Sequence, residues 1–350
     1  MAHKLKRVLV VGVSRAGSEL ASRIAEQLEG EPHLLGQRVS QELPKLFTDP
    51  TVDALVVVLA VGATVRLLAP CLRDKHRDPA VVAVDDAGRF AIALLSGHRG
   101  GANRLADEVA RAIGATAVVT TASDVARLPA IDLLGRDQGW KIEASPEMLR
   151  RTAAAVVNHA PVAVFQDAGA PIRCPGHRIQ SLEDPCLADM QALLIVTDRL
   201  FDPPAQPRWQ VVYRPPTLVA GVGCSRGATL QDITHAIQLA LLQGQLASGS
   251  LAQLATIDRR LNEPGLVALA EHWSLRVRGF AAGELAAVQV PSTSEVVRNA
   301  VGTPGVCEPA ALLASGAAEL LVPKVKTARA TAAIARTPER SGEWGMRSEE

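Results

Sequence analysis

Apolar positions fall in short unbroken runs separated by stretches of helical period. This is the pattern of parallel strands buried on both faces and alternating with helices. VLVVGV at 8–13 predicts a first strand, the Ser-Arg-Ala-Gly sequence at 14–17 a turn, and 18–28 a helix closed at Gly30. ALVVVLA at 54–60 predicts a second buried strand, and Gly62-Ala63-Thr64 opens another helix. Residues 80–84 and 90–94 flank Asp85-Asp86-Ala87-Gly88 and predict a hairpin or edge pair. An amphipathic helix over 100–113 stops at Gly114, and the strand 116–120 follows.

Beyond residue 126 the pattern weakens. A helix is predicted over 148–158, with strands at 162–165 and 193–197, while 167–188 is rich in Gly, Pro and Asp and reads as a loop. Pro203, Pro204, Pro207, Pro215 and Pro216 mark a second boundary region. After it, strands are predicted near 217–222, 253–257, 275–279 and 319–322, and helices near 229–243, 264–272 and 308–315. The expected fold class is α/β: an N-terminal doubly wound, mostly parallel sheet (1–126), a smaller middle α/β region (127–216) and a separate C-terminal α/β domain (217–337). The charged stretch 338–350 reads as a disordered tail.

Composition narrows the function classes. The 350 residues carry 37 Lys+Arg against 36 Asp+Glu, a formal charge of +1, which excludes a strongly basic nucleic-acid module but not a local patch. Aromatic residues are 3% of the chain, so base-stacking platforms are not expected and the core must rest on Ala, Val, Leu and Ile. The five cysteines (Cys71, Cys174, Cys186, Cys224, Cys307) form no CxxC. Cys174-Pro-Gly-His177 has no second pair to complete a zinc site. An odd cysteine count without a signal peptide points to a reduced, cytoplasmic setting. No apolar run approaches the roughly 20 residues of a membrane span.

Several glycine-rich turns invite a nucleotide reading. Gly12-Val-Ser-Arg-Ala-Gly17 lacks the middle glycine of GxGxxG and the Lys-Ser/Thr of a P-loop. Gly221-Val-Gly223-Cys-Ser-Arg-Gly227 has one residue too many. The most informative segment is Leu94-Leu-Ser96-Gly97-His98-Arg99-Gly100-Gly101-Ala102-Asn103, a polar turn between a buried strand and an amphipathic helix. Its glycines let backbone approach a ligand, and an imidazole there can act as a general base near neutral pH. His98 equally well bonds a turn carbonyl, and Arg99 is equally well a solvated charge. Thr120-Thr121-Ala122-Ser123-Asp124 follows the next strand at the same sheet edge, as ligand contacts or as a helix cap. Asp85 and Asp86 read better as turn chemistry than as paired carboxylates. In the third region Ser294-Glu295 and Cys307-Glu308 start helices, and Lys324 and Lys326 place two cations at a strand end.

Together these segments resemble one family. VDDAGRF (84–90), LLSGHRGGAN (94–103), TTASD (120–124), GATVR (62–66), GVGCSRG (221–227), ATID (255–258), EPGLVALA (263–270), GTPGVCEPAALL (302–313) and LVPKVK (321–326) occur in the order of the CbiG family, the cobalt-precorrin-5A hydrolases of anaerobic cobalamin (vitamin B12) biosynthesis. Thr293 departs from the proline expected before Ser294-Glu295. The resemblance implies a cobalt-bearing tetrapyrrole substrate whose ring A acetate δ-lactone is opened by water, with a two-carbon unit released as acetaldehyde. It implies no cofactor, since the cobalt travels with the substrate, and no metal site in the protein. Expected partners are that tetrapyrrole, neighbouring methyltransferases of the pathway and a second copy of the chain; nucleic acid and membrane are not. In this light His98 is the expected general base with Asp124 as its orienter, and Gly97, Gly100 and Gly101 amides are oxyanion donors. Arg66, Arg99, Arg226, Lys324 and Lys326 are expected to clamp carboxylates, and Ser96, Asn103, Thr120, Thr121, Gly223, Cys224 and Glu295 to complete the substrate contacts. The C-terminal region also resembles the stand-alone CobE protein. That leaves open an alternative, a non-catalytic tetrapyrrole carrier.

Overall fold

A computed structural model describes residues 5–74, 77–98, 100–121, 128–292, 295 and 302–338. The chain divides into two compact units, Met1–Leu134 with Val156–His159, and Gly135–Ala155 with Ala160–Glu350.

The first unit runs β1 (Val8–Gly12), α1 (Arg15–Leu28), β2 (Glu31–Leu34), α2 (Val39–Thr48), β3 (Ala54–Val58), α3 (Val61–Leu68), β4 (Ala80–Val84), β5 (Phe90–Leu95), α4 (Ala102–Ile113) and β6 (Thr116–Val118). Its sheet has the order β2-β1-β3-β4-β5-β6. Side chains alternate across a strand, so each buried run serves two cores. Val10, Val56, Val58 and Val82 pack with Ile24 of α1 and Leu105 and Val109 of α4, while Leu9, Val11, Leu55 and Val57 pack with Leu43, Phe47 and Leu68 from α2 and α3. Helices on both faces make this the expected doubly wound sheet. The hairpin reverses it: β5 is antiparallel to β4, and β6 is parallel to β5. The turns after β1 and β3 therefore lie at one sheet edge, and the 96–103 and 120–121 segments at the other. β2 and α2 were not predicted, because Glu31-Pro32-His33-Leu34 is polar and Pro44 interrupts the helix pattern.

The second unit contains two sheets. The middle one is built from β7 (Lys141–Glu143), followed by α5 (Pro146–Val157), then β8 (Val162–Gln166), β9 (His177–Ile179), β10 (Ala192–Val196) and β11 (Trp209–Arg214), in the order β7-β11-β10-β8-β9. β9 lies within the stretch expected to be a loop, and β11 within the proline-rich boundary. The third sheet uses β12 (Leu218–Cys224), α6 (Leu230–Gln243), β13 (Leu251–Ile257), α7 (Pro264–Trp273), β14 (Arg276–Phe280), α8 (Ala282–Ala286), α9 (Cys307–Ser315), β15 (Leu320–Lys326) and β16 (Ala330–Arg336), ordered β14-β13-β12-β16-β15. The two sheets are tied by Asp198, fully buried, whose carboxylate accepts from Arg336 Nε and Nη2 at 2.7 and 2.6 Å and from the Thr217 hydroxyl at 2.6 Å.

The third sheet is also covered on both faces. Leu218, Ala220 and Val222 meet Ile233, Ile237 and Leu266 from α6 and α7, and the other face meets α9. Gly221 makes the second packing possible: a Cβ there would overlap the Cys307 carbonyl oxygen and fall 2.7 Å from the Ala311 nitrogen. Gly221→Ala is expected to displace α9 and to cost about 1–3 kcal/mol of stability. Urea denaturation measures it, and an unchanged midpoint would show that α9 is not seated this way.

Candidate functional site

In the third sheet β12, β13 and β14 are parallel, while β16 runs antiparallel between β12 and β15. Cys224 at the end of β12 faces Ala330 at the start of β16, and Lys326 at the end of β15 faces Thr331. The carboxyl ends of β12, β13 and β15 therefore share one edge, where open α/β sheets leave a crevice. A cleft of about 460 Å³ lies there, lined by the 223–226 turn, Ile257 and Arg260, the 304–307 segment leading into α9, Lys324 and 326–331.

Five cations line this cleft, Arg226, Arg260, Lys324, Lys326 and Arg329, and no carboxylate does among the described residues. Two are braced. Arg260 Nη1 donates to Glu263 at 2.9 Å, and the buried Glu263 carboxylate also accepts the Gly227 N–H in a short hydrogen bond. Arg329 donates to the Arg226 carbonyl at 2.9 Å while its own carbonyl takes the Ser225 N–H. The side chains of Arg226, Lys324 and Lys326 make no hydrogen bond or ion pair among the described residues. A concave wall carrying several unneutralised cations concentrates field in the cleft and suits a ligand with several carboxylates.

Both cleft cysteines have thiols held above their ordinary range. Burial pushes the Cys224 thiol up, the Glu263 charge adds to this and Arg260 opposes it. Burial pushes Cys307 up to about 11. Cys224 and Cys307 both line the cleft.

The first unit brings its own predicted residues together. Asn103 on α4 donates through Nδ2 to the Thr121 hydroxyl at 2.7 Å, which joins the 96–103 turn to the end of β6. Ser96, at φ +55°, donates its hydroxyl to the Asp78 carbonyl at 2.9 Å. Gly97 and Gly100 are packing glycines: a Cβ on either would overlap Asn103 or Ser96. The Gly101 N–H donates to the His98 carbonyl at 3.2 Å. His98 is half-buried, Thr120 is exposed, and Arg66 is exposed on α3. Arg99 and Asp124 lie outside the described residues. Glu295 is exposed and does not line the cationic cleft, and within the 338–350 tail only Pro338 is described.

The glycine turns with a nucleotide resonance have structural work. Ser14 caps α1 by accepting the Gly17 N–H at 2.8 Å, and a Cβ on Gly17 would fall 2.8 Å from Asp86 Oδ1. Asp85 Oδ1 accepts the Arg89 and Phe90 N–H groups at 2.8 Å each, which is turn chemistry. Gly223, Cys224, Arg226, Lys324 and Lys326 do converge, in the cleft. Arg260 and Arg329 were missed. Arg260 follows the ATID segment by two residues, and Arg329 sits in the turn between β15 and β16, which the alanine-rich β16 concealed.

Among the described residues no group of three or more His, Cys, Asp or Glu side chains could hold a metal ion, and no helix is long and apolar enough to cross a membrane.

Three family models match in order. The cobalamin synthesis G N-terminal model covers 44–124, the cobalamin biosynthesis central region model 129–215, and the cobalamin synthesis G C-terminus model 218–335. A Priestia megaterium protein named cobalt-precorrin-5A hydrolase is 35% identical over 323 residues, 89% of this chain and 86% of its own. A Salmonella typhimurium protein of the same name is 33% identical over 272 residues, 76% of this chain and 77% of its own. Protein CobE of a Sinorhizobium is 36% identical over 121 residues, 34% of this chain and 79% of its own.

Thiolate absorbance, followed during a pH titration of the native protein and of Cys307→Ser, tests the cysteine assignment. Cys307 should reach half-ionisation only near pH 11. Ionisation at about 8.5, the free-thiol range, would show that its burial does not hold.

Proposed function

We infer the reaction of this chain from its kinship, for it belongs to the cobalamin synthesis G (CbiG) family. Its activity is that of a cobalt-precorrin-5A hydrolase in cobalamin biosynthesis. Water opens the lactone formed between the ring A acetate and the former C20 carbon, and that carbon leaves with its methyl group as acetaldehyde, giving cobalt-precorrin-5B. Three tasks follow for the protein: activating water, stabilising an oxyanion, and moving a proton as the carbon–carbon bond breaks.

The observation that carries the substrate assignment is the cationic cleft. A tetrapyrrole of this class is a polycarboxylate, and five cations with no lining carboxylate among the described residues form its chemical complement. Arg226, Lys324 and Lys326 supply the charges not already engaged; Arg260 and Arg329 are oriented by Glu263 and by the Arg226 carbonyl. The cobalt is part of the substrate. His98, on the turn between β5 and α4, is the proposed base, with Asp124 as orienter; Ser96, Gly97, Gly100, Gly101, Asn103, Thr120 and Thr121 form the surrounding segment. This turn's support is its build, a half-buried His98 in a segment that Asn103 joins to Thr121. We place the protein in the reducing cytoplasm, a reading supported by five unpaired thiols.

Purified protein mixed with cobalt-precorrin-5A should release acetaldehyde, read as NADH oxidation by coupled alcohol dehydrogenase. His98→Ala should abolish release without weakening pigment binding. Lys324→Ala and Lys326→Ala should each raise KM about tenfold, the loss of one charge-assisted contact. Tight pigment binding without acetaldehyde would overturn the hydrolase assignment in favour of the carrier, a role the CobE-like region could fill.

A further inference from the structure

A buried carboxylate lies behind the two free lysines of the cleft. Glu308, in the first turn of α9, is 1% exposed. Its Oε1 accepts the Lys324 backbone N–H at 2.9 Å and its Oε2 the Ser292 N–H at 3.0 Å. A strand amide is normally spent on the neighbouring strand, so this bond needs a reason.

The reason lies in the register of β15. Val322 pairs with Ile334, yet Val325 pairs with Ala332, so three steps on β15 match two on β16. The extra residue makes a β-bulge at Pro323-Lys324, where proline has no N–H to give. In an unbulged strand Val322, Lys324 and Lys326 would share a face, the face Val322 gives to the α6 core. With the bulge, Val322 and Val325 both pack on that core. Lys324 and Lys326, the neighbours of Val325, turn to the opposite face and line the cleft. The bulge is thus what delivers both lysines to the ligand side, and the amide it frees is the one Glu308 accepts.

We propose that Glu308 is a positioning residue that holds the β15 bulge and thereby aims Lys324 and Lys326 at the substrate's carboxylates. This deepens the assignment of the cleft as the pigment site and rests on it. The helix N-terminus favours a carboxylate at this position, and both Glu308 oxygens are engaged by backbone N–H groups.

The test is a cycle of variants read by pigment binding at several salt concentrations, with acetaldehyde release measured in parallel. Glu308→Gln keeps the shape but turns an NH2 towards one of the two amides. It should weaken pigment binding about tenfold, like the loss of one charged contact, and flatten the salt dependence as Lys324→Ala/Lys326→Ala does. Added to Lys324→Ala/Lys326→Ala, it should weaken binding no further. Unchanged affinity, or a full additive loss in the double-lysine background, would overturn the proposal. Should Glu308→Gln fail to fold, amide exchange in the wild-type protein decides. A protected Lys324 N–H supports the Glu308 bond, and exchange at the rate of an open loop contradicts it. Absence of acetaldehyde from wild type would count against the hydrolase assignment alone, since the binding cycle and the exchange measurement do not depend on turnover.

Discussion

Strand polarity at β16 sets where this protein's charge goes. Because β16 enters antiparallel between β12 and β15, the β15–β16 turn returns to the edge where β12 and β13 end. Arg226 and Arg260 come to that edge from segments following parallel strands, and Lys324, Lys326 and Arg329 from the antiparallel pair. A net charge of +1 over the whole chain says nothing of this. The cluster exists because topology gathers five cations that lie up to 103 residues apart in the chain.

Buried carboxylates hold this arrangement from behind. Glu263 takes the Gly227 N–H and Arg260, and Glu308 takes the amides of Ser292 and Lys324. Both are nearly free of solvent, and both spend acceptor capacity on backbone, so negative charge supports the cleft wall without entering the cleft. At the far end of β16, Arg336 forks onto Asp198 and ties the third sheet to the middle one. Asp198 is fully buried while Arg336 reaches solvent, so it is removal of Arg336 that leaves a buried charge uncompensated, a cost of about 3–5 kcal/mol. The pair anchors the strand on which the cleft depends.

The legible parts of the fold were those where local pattern and tertiary role agree. Ala54–Val58 of ALVVVLA is buried on both faces, as an unbroken apolar run of strand length between helical stretches predicts. The 80–94 hairpin announced itself by its Asp-Asp-Ala-Gly turn. Ala330–Arg336 did not, because alanine favours helix and only its place between two strands makes ATAAIAR a strand. Trp209–Arg214 was hidden by flanking prolines, although Val211 and Tyr213 are fully buried. At the site, the ordered segments identified the family, and the C-terminal ones converge in space. Arg260 and Arg329 were not legible, since their significance comes from the edge they share. Glu308 reads from sequence only as part of a helix start, because its further role depends on a bulge in β15, a strand that follows it in the chain. Arg66 was grouped with cations that the fold places in the other compact unit.

The most direct measurement is a crystal structure of the protein with cobalt-precorrin-5B bound. Pigment carboxylates are expected in ion-pair range of Lys324, Lys326 and Arg226, with the Pro323-Lys324 bulge intact over Glu308. A pigment seated elsewhere, with the 223–331 cleft vacant, would contradict it.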